Sequence, residues 1–155
     1  MSDPLGEVAE ALIENELAVA RLYEQFAETF EEDAEFWQGL ATEEHKHARW
    51  IGEARDLART EPVEPAAPPV RLQAVEHMIQ YVESIGERCR KGELTRVKAY
   101  ALARDVEDSL LESRIFGLFV PARDQLRALQ ERLVRDTSMH RQRIAEVLDR
   151  VRKAG

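Results

Sequence analysis

Cysteine is almost absent from this chain of 155 residues, in which Cys89 is the only one. An internal disulfide and a Cys-x-x-Cys metal or redox site are therefore excluded. Glycine is scarce as well, with 7 residues, whereas long stretches are rich in Ala, Glu, Leu and Arg. Such a composition favours helices over strands, and the length suffices for one domain with a sizeable core.

The chain also lacks basic runs and long apolar runs. Its net charge is −8, so nucleic acid is not an expected partner. No stretch approaches the roughly 18 apolar residues of a membrane span. The first ten residues, MSDPLGEVAE, have neither the basic start nor the apolar run of a signal peptide. We therefore expect a cytoplasmic protein with no membrane partner.

Apolar residues recur at helical spacing along four long segments, which predict two helical hairpins. Asp3 followed by Pro4 is a favourable start for helix 1. Four prolines in TEPVEPAAPP exclude a helix and mark an extended connector. In the second hairpin, helix 3 is expected to span Glu93 to Phe119. The predicted single domain comprises a hairpin over 5–59, the connector over 60–69, a crossover helix over 70–91 and a hairpin over 93–153.

The most informative pattern is a near-repeat at a constant offset of 93 residues, with no gap. Two helical hairpins related in this way form a bundle with an internal two-fold repeat, a geometry suited to a two-metal centre. The aligned motifs are Glu16-Leu17-x-x-x-Arg21 with Ser109-Leu110-x-x-x-Arg114, and Leu40-x-x-Glu43-Glu44-x-x-His47 with Leu133-x-x-Asp136-Thr137-x-x-His140.

Glu44-x-x-His47 is the strongest local motif. Its i, i+3 spacing puts a carboxylate and an imidazole on one helix face, where both can reach the same ion. Oxygen and nitrogen ligands together suit iron, manganese or zinc. Alone, such a pair is common on solvated helices. Here it occurs with Glu16, which lies close to an apolar stripe where an unpaired carboxylate is costly, and with His140, its counterpart in the repeat.

The first half of the chain resembles the first hairpin of rubrerythrin and other ferritin-like diiron proteins. Glu16 with Arg21, Tyr23 and Phe26 is similar to the first-helix ligand and its neighbours, and Glu44-x-x-His47 is similar to the second-helix ligand pair. The resemblance implies an all-α, ferritin-like four-helix bundle with a helical crossover between helices 2 and 3. It also implies ferrous iron oxidation, or peroxide or dioxygen reduction, at a carboxylate-bridged pair of irons.

The second half departs from the family pattern. Ser109 stands where the helix-3 glutamate belongs, and Thr137 stands where the helix-4 glutamate belongs. Glu112 lies one turn after Ser109 and matches the second of two glutamates that rubrerythrins carry on that helix. The expected metal ligands are therefore Glu16, Glu44, His47, Glu112 and His140.

These observations predict a rubrerythrin-like, non-haem iron protein with one or two iron ions and an oxidoreductase activity of the peroxidase or ferroxidase kind. Because no cysteines remain for a rubredoxin-type centre, electrons would come from another protein or from ferrous iron. A homodimer is the expected assembly. Two alternatives stay open. One is a helical scaffold or dimerisation module whose metal site has decayed, and the other is an iron-storage cage, for which the sequence offers no assembly signal.

Overall fold

Five α-helices make up most of the part of the chain that the computed structural model describes, which is residues 3–60, 64–65, 70–112, 119–120 and 124–155. The all-helical prediction is confirmed, and the helices pack as a bundle. A short antiparallel pair of two-residue strands accompanies them. The elements are α1 Pro4–Thr29, α2 Ala34–Thr60, β1 Glu64–Pro65, α3 Leu72–Arg90, α4 Arg96–Glu112, β2 Phe119–Val120 and α5 Asp124–Ala154.

Helix α1 begins where the Asp3-Pro4 signal predicts. The Asp3 carboxylate accepts a hydrogen bond from the Gly6 backbone N–H at 3.0 Å, which satisfies one of the free donors at the helix start. A Cβ at residue 6 would meet the Asp3 carboxylate, so a larger residue there would force this exposed side chain to move. A short 3-10 turn over Glu31–Asp33 then reverses the chain into α2, so α1 and α2 form the first hairpin.

Helix 3 of the prediction ends earlier than expected. In the structure α4 starts at Arg96 and ends at Glu112, while Phe119–Val120 pairs as β2 with Glu64–Pro65 of the connector. The prediction of helix up to Phe119 was therefore wrong, because a short apolar run fits a strand as well as a helix. Residues 113–118 and 121–123 lie outside the described residues.

The helices pack in a consistent order around a shared apolar core. α1 packs on α2, α4 packs on α5, and α2 contacts α5, while α3 packs on α1. The largest fully buried side chains are aromatic, with Trp37, Tyr23, Tyr100 and Phe26 foremost among them. None of the described helices has the length and apolarity that crossing a membrane requires.

An ion pair ties the first hairpin to the start of α4. Arg96 donates from Nε to Asp33 Oδ2 at 2.6 Å and from Nη2 to Asp33 Oδ1 at 2.8 Å. This two-pronged contact, with the Asp33 side chain only 8% exposed, lowers the pKa of Asp33. The turn between α1 and α2 is thus fixed to α4 at one end of the bundle.

Candidate metal centre

Five ionisable side chains converge inside the bundle, and each of their residues is 1% exposed or less. Charged groups buried this deeply are costly unless they are paired, hydrogen-bonded or bound to a metal. Four of the five helices contribute, and only α3 does not. The cluster consists of Glu16 from α1, Glu44 and His47 from α2, Glu107 from α4 and His140 from α5.

Glu44 lies between the two histidines. Its Oε1 is 2.9 Å from His140 Nδ1, and its Oε2 is 3.3 Å from His47 Nδ1. Ligand atoms of these three residues all lie within 4.8 Å of one another, so the group could hold a metal ion. Glu16 Oε2 is 3.8 Å from His47 Nδ1, and Glu107 Oε1 is 3.9 Å from His140 Nδ1. Each histidine therefore has one carboxylate of its own and shares Glu44.

The outer nitrogen of each histidine contacts a carboxylate from the opposite hairpin. His47 Nε2 is 3.4 Å from Asp136 Oδ2 on α5, and His140 Nε2 contacts Glu43 Oε2 on α2. The two imidazole rings are stacked, with centroids 5.1 Å apart and planes 16° apart. Because each Nε2–H can donate outward, each Nδ1 faces the cluster, where it can coordinate a cation.

The protonation of the cluster without metal follows from burial and from Glu44. Burial, followed by the charge of Glu44, raises the pKa of Glu16 and of Glu107. Burial acts in the same sense on Glu44, but hydrogen bonds from Glu16 and both histidines outweigh it and lower the pKa of Glu44. Burial alone would lower the pKa of both histidines. Glu16 and Glu44 outweigh this effect and raise the pKa of His47 to about 11, and Glu44 and Glu107 likewise raise the pKa of His140.

Without metal, the cluster therefore favours the ionised form of Glu44, the protonated forms of both imidazoles, and the neutral forms of Glu16 and Glu107. A cation bound here would take the place of the inner protons, because it competes for the same nitrogen and oxygen lone pairs. Two oxygens also lack a hydrogen bond within the described part of the chain, Glu16 Oε2 and Glu107 Oε2. Buried acceptors without partners are unfavourable, and coordination of a cation would satisfy them.

Four of the five predicted ligands meet at this cluster, namely Glu16, Glu44, His47 and His140. The fifth, Glu112, is the last residue of α4, and its side chain lies outside the described residues. Glu107 occupies the α4 position in the cluster and was not predicted. Its carboxylate also accepts a hydrogen bond of 2.5 Å from the Tyr23 hydroxyl, whose pKa is raised by burial first and by the charge of Glu107 next.

Glu107 was missed because the repeat does not keep its offset of 93 along α4. Glu107 lies 91 residues after Glu16, and other buried positions share that offset. Ser109 is only half-buried, and its hydroxyl donates to the Asp105 carbonyl at 2.9 Å. Aligning Ser109 with Glu16 was therefore wrong by two residues. The buried pairs at an offset of 91 are Val8 with Ala99, Leu12 with Ala103, Glu16 with Glu107, and Val19 with Leu110.

The offset of 93 does describe α2 and α5. Thr137 is 1% exposed at the position that matches Glu44, and His140 is buried at the position that matches His47. The second hairpin therefore has a buried carboxylate on α4, that of Glu107, and a buried hydroxyl, that of Thr137, at the α5 position that an offset of 93 aligns with Glu44. A sequence signal for Glu107 existed, since it falls within the stripe formed by Ala99, Ala103 and Leu110.

Comparisons with known proteins do not assign the chain. No family model matches it, and neither a curated protein nor a solved structure is significantly similar to it. The function must therefore be argued from the chemistry of the buried cluster.

Proposed function

We propose that this chain is a ferritin-like, rubrerythrin-like non-haem iron protein that reduces peroxide or dioxygen, or oxidises ferrous iron, inside the bundle. One observation carries the proposal: Glu44 spans two buried, stacked histidines whose Nδ1 atoms both face it. A carboxylate that lies between two imidazoles inside a helical bundle is placed to contact two neighbouring metal ions at once.

The donor set fits a pair of divalent ions. Glu16 and His47 would hold one ion, Glu107 and His140 would hold the other, and Glu44 would join them. Three carboxylates balance most of the charge of two ferrous ions, and mixed carboxylate and imidazole ligands suit iron, with manganese and zinc as alternatives. When bound, a redox-active pair supplies the two electrons that cleave a peroxide O–O bond.

The other side chains prepare the site for this role. Asp136 and Glu43 orient the imidazoles from outside, which fixes the nitrogen that faces the metal. Tyr23 holds Glu107 in place and can exchange a proton with it. The surrounding apolar side chains exclude bulk water, which strengthens electrostatic interactions at the site.

The cost of the cluster favours metal binding over a decayed scaffold. Well-packed apolar residues of similar volume are often as stabilising as a buried ionic cluster, or more so. This chain instead buries three carboxyl groups and two imidazoles, and leaves two carboxylate oxygens without hydrogen bonds in the described part of the chain. A scaffold or dimerisation module has no physical need of such a core.

Iron content tests the proposal directly. The protein is reconstituted anaerobically with ferrous iron, freed of unbound metal and measured by elemental analysis, and oxidation of the bound iron by hydrogen peroxide is then followed. We expect bound iron in the parent protein, its loss in His140→Ala, and its retention in His45→Ala. His45 is the matched control because it is an exposed histidine on α2, paired with Glu24 at the surface. A parent protein that retains no more iron than His140→Ala would contradict the proposal.

A further inference from the structure

A cavity of about 330 Å³ opens at the end of the bundle where the turn between α1 and α2 meets the start of α4 and the end of α5. Small-molecule sites in proteins are concave, mostly apolar spaces of about 300–1,000 Å³ with a few well-placed polar groups, so this volume suits a small ligand. None of the five residues of the metal cluster lines this bundle-end cavity. A ligand bound there would therefore lie apart from the candidate metal centre.

Two aromatic rings and two valines form most of the apolar wall of the cavity. The ring centroids of Phe36 and Tyr100 are 5.6 Å apart and their planes are 54° apart, so the two rings make an angled corner. Phe36, Val147 and Val151 are only partly buried, which leaves apolar surface facing water inside a concave space. A flat apolar group would cover this surface favourably, and a ring could make edge-to-face or offset contacts with the corner.

An ion pair with unused donors forms one part of the polar wall. Arg96 donates from Nε and Nη2 to Asp33, and the Tyr100 hydroxyl donates to the same carboxylate. The charge of Asp33 is thus neutralised by the protein itself. A guanidinium has more N–H groups than this contact uses, and those on Nη1 of Arg96 have no acceptor within the described part of the chain. A further acid, Glu32, lies 3.6 Å from Arg96 Nε, but its side chain is 65% exposed and does not line the cavity.

Arg150 adds a positive charge that no described residue balances. It lies near the end of α5, its side chain is exposed, and it forms no ion pair within the described ranges. The wall therefore combines two arginines with one carboxylate, an excess of positive charge in a chain whose net charge is −8. Such a wall favours an anionic ligand and disfavours a cationic one.

We propose that the bundle-end cavity binds a small aromatic carboxylate of about the size of benzoate. Its carboxylate would accept hydrogen bonds from Arg150 and from Nη1 of Arg96, because the planar guanidinium matches the geometry of a carboxylate. Its ring would pack into the corner between Phe36 and Tyr100. The site goes beyond the proposed function and does not depend on it, because its ligand touches no residue of the metal cluster.

Titration of the whole chain with four related compounds separates the effect of charge from that of shape. Benzoate has both the carboxylate and the ring, acetate has only the carboxylate, benzamide has the ring without charge, and benzylamine has the ring with a positive charge. By calorimetry, we expect benzoate to bind at least about tenfold more tightly than each of the other three. Acetate or benzamide binding as tightly as benzoate would overturn the proposal.

Arg150→Gln tests the charge that selects the ligand. The substitution lies at an exposed position, so the fold should not change, and the affinity for benzoate should fall by about tenfold. Arg152→Gln is the matched control, because Arg152 is an exposed arginine of the last turn of α5 that does not line the cavity. It should bind benzoate like the parent. Equal losses in the two variants would mean that only the general surface charge attracts benzoate, and the proposal would be wrong.

The two tryptophans of the chain report where the ligand binds. Trp37 lies behind the aromatic corner, with its ring centroid 5.2 Å from that of Phe36 and 4.6 Å from that of Tyr100. Trp50 instead contacts His47 of the metal cluster. In protein labelled with fluorotryptophan, benzoate should shift the fluorine NMR signal of Trp37 and leave that of Trp50 in place, and Trp50→Phe assigns the two signals. A shift of the Trp50 signal alone, or of neither signal, would place benzoate outside the cavity.

A second copy of the chain is the competing occupant of an open cavity, and protein concentration distinguishes the two. Benzoate affinity that does not depend on protein concentration supports the small ligand. Affinity that falls as the protein concentration rises, together with a dimer in sedimentation that Arg150→Gln dissociates, would assign the cavity to a subunit interface and overturn the proposal. Because the titrations are run with and without iron, failure of benzoate to bind leaves the proposed function intact, and failure of iron to bind leaves this site intact.

Discussion

The two hairpins supply the buried cluster unequally. Each contributes one histidine, and the outer nitrogen of each histidine contacts a carboxylate of the other hairpin. The first hairpin, α1 and α2, adds two carboxylates, whereas the second, α4 and α5, adds only Glu107. The difference lies at one pair of positions, Glu44 and Thr137, both of which are 1% exposed. Each histidine thus has one carboxylate of its own, and the two hairpins differ in which of them supplies the carboxylate that both histidines share.

Removing Glu44 should have the largest effect, because it takes away the one carboxylate that both histidines share. Glu44→Ala should abolish binding of both ions. It should also lower the free energy of unfolding of the metal-free protein by about 3–5 kcal/mol, the usual cost of breaking a buried ion pair. Elemental analysis and urea unfolding measure the two effects.

The matched control for this variant is Glu24→Ala. Glu24 pairs with an exposed histidine, His45, at 2.9 Å, and its side chain is 50% exposed. Surface pairs of this kind contribute about 0–1 kcal/mol, so the control should keep its metal and nearly all its stability. If Glu44→Ala bound as much metal as Glu24→Ala, Glu44 would not be a metal ligand.

Making the hairpins more alike should have the next largest effect. Thr137→Glu places a carboxylate at the position that matches Glu44, so it should raise the metal content toward two tightly bound ions per chain. The added buried carboxylate should make the metal-free variant less stable than the parent. Elemental analysis and melting of the metal-free protein test both expectations.

Ser109→Glu is the matched control for Thr137→Glu, and it decides between the two alignments of α4. Because Ser109 is half-buried and its hydroxyl donates to the Asp105 carbonyl of its own helix, we expect the variant to leave both metal content and metal-free melting unchanged. If the ungapped repeat is right, Ser109→Glu should raise metal content as much as Thr137→Glu does. That result would also mean that Glu107 is not the metal ligand that α4 supplies.

Much of the fold could be predicted from the sequence, because local signals determine it. The Asp3-Pro4 cap and the periodic apolar stripes set the helices, and the scarcity of glycine leaves few other breaks. The end of α4 could not be predicted in this way. The run that contains Phe119 and Val120 satisfies helical and strand patterns equally, and its pairing with Glu64 and Pro65 is a long-range contact.

The cluster was only partly predictable for a related reason. Glu16 is identified by its position beside the apolar stripe of α1, Glu44 and His47 by their spacing within α2, and His140 by the offset that α2 and α5 share. Whether Glu107 reaches the cluster depends on how far α4 is shifted along the bundle axis relative to α1. This shift is set by tertiary packing and cannot be predicted from the spacing of residues in the sequence. A carboxylate inside a buried stripe was the available clue.

Acidity should affect the metal-free and metal-loaded proteins in opposite ways. The raised pKa values of Glu16, Glu107 and both histidines mean that folding without metal takes up protons. Each such group makes its full contribution to the free energy of unfolding below its pKa in the unfolded chain. That contribution is lost as the pH rises through its pKa in the folded protein. For His47 this window runs from 6.5 to about 11. The metal-free melting temperature should therefore fall as the pH rises above neutrality.

Metal affinity should rise over the same range, because a bound cation displaces the protons that the cluster otherwise holds. Melting curves and zinc or ferrous iron titrations at several pH values measure the two slopes. His140→Gln is the informative comparison, since it removes one of the titrating groups and should flatten the metal-free slope. A metal-free melting temperature that rises with pH in the parent would show that the cluster is not protonated in this way.

Removing either outer carboxylate, Asp136 or Glu43, should have the smallest effect. It tests whether these two carboxylates orient the two histidines equally. Asp136→Asn and Glu43→Gln keep the size of the side chain but remove the charge that orients His47 or His140, so each should weaken metal binding by about tenfold. Asp149→Asn is the control, because Asp149 is an exposed acid of α5 that pairs with Lys153 at the surface. Similar losses in the two variants would mean that the hairpins orient their histidines equally and differ only through Glu44. A loss in one variant alone would instead place part of the asymmetry in the outer carboxylates, and losses no larger than that of Asp149→Asn would show that these contacts do not orient the ligands.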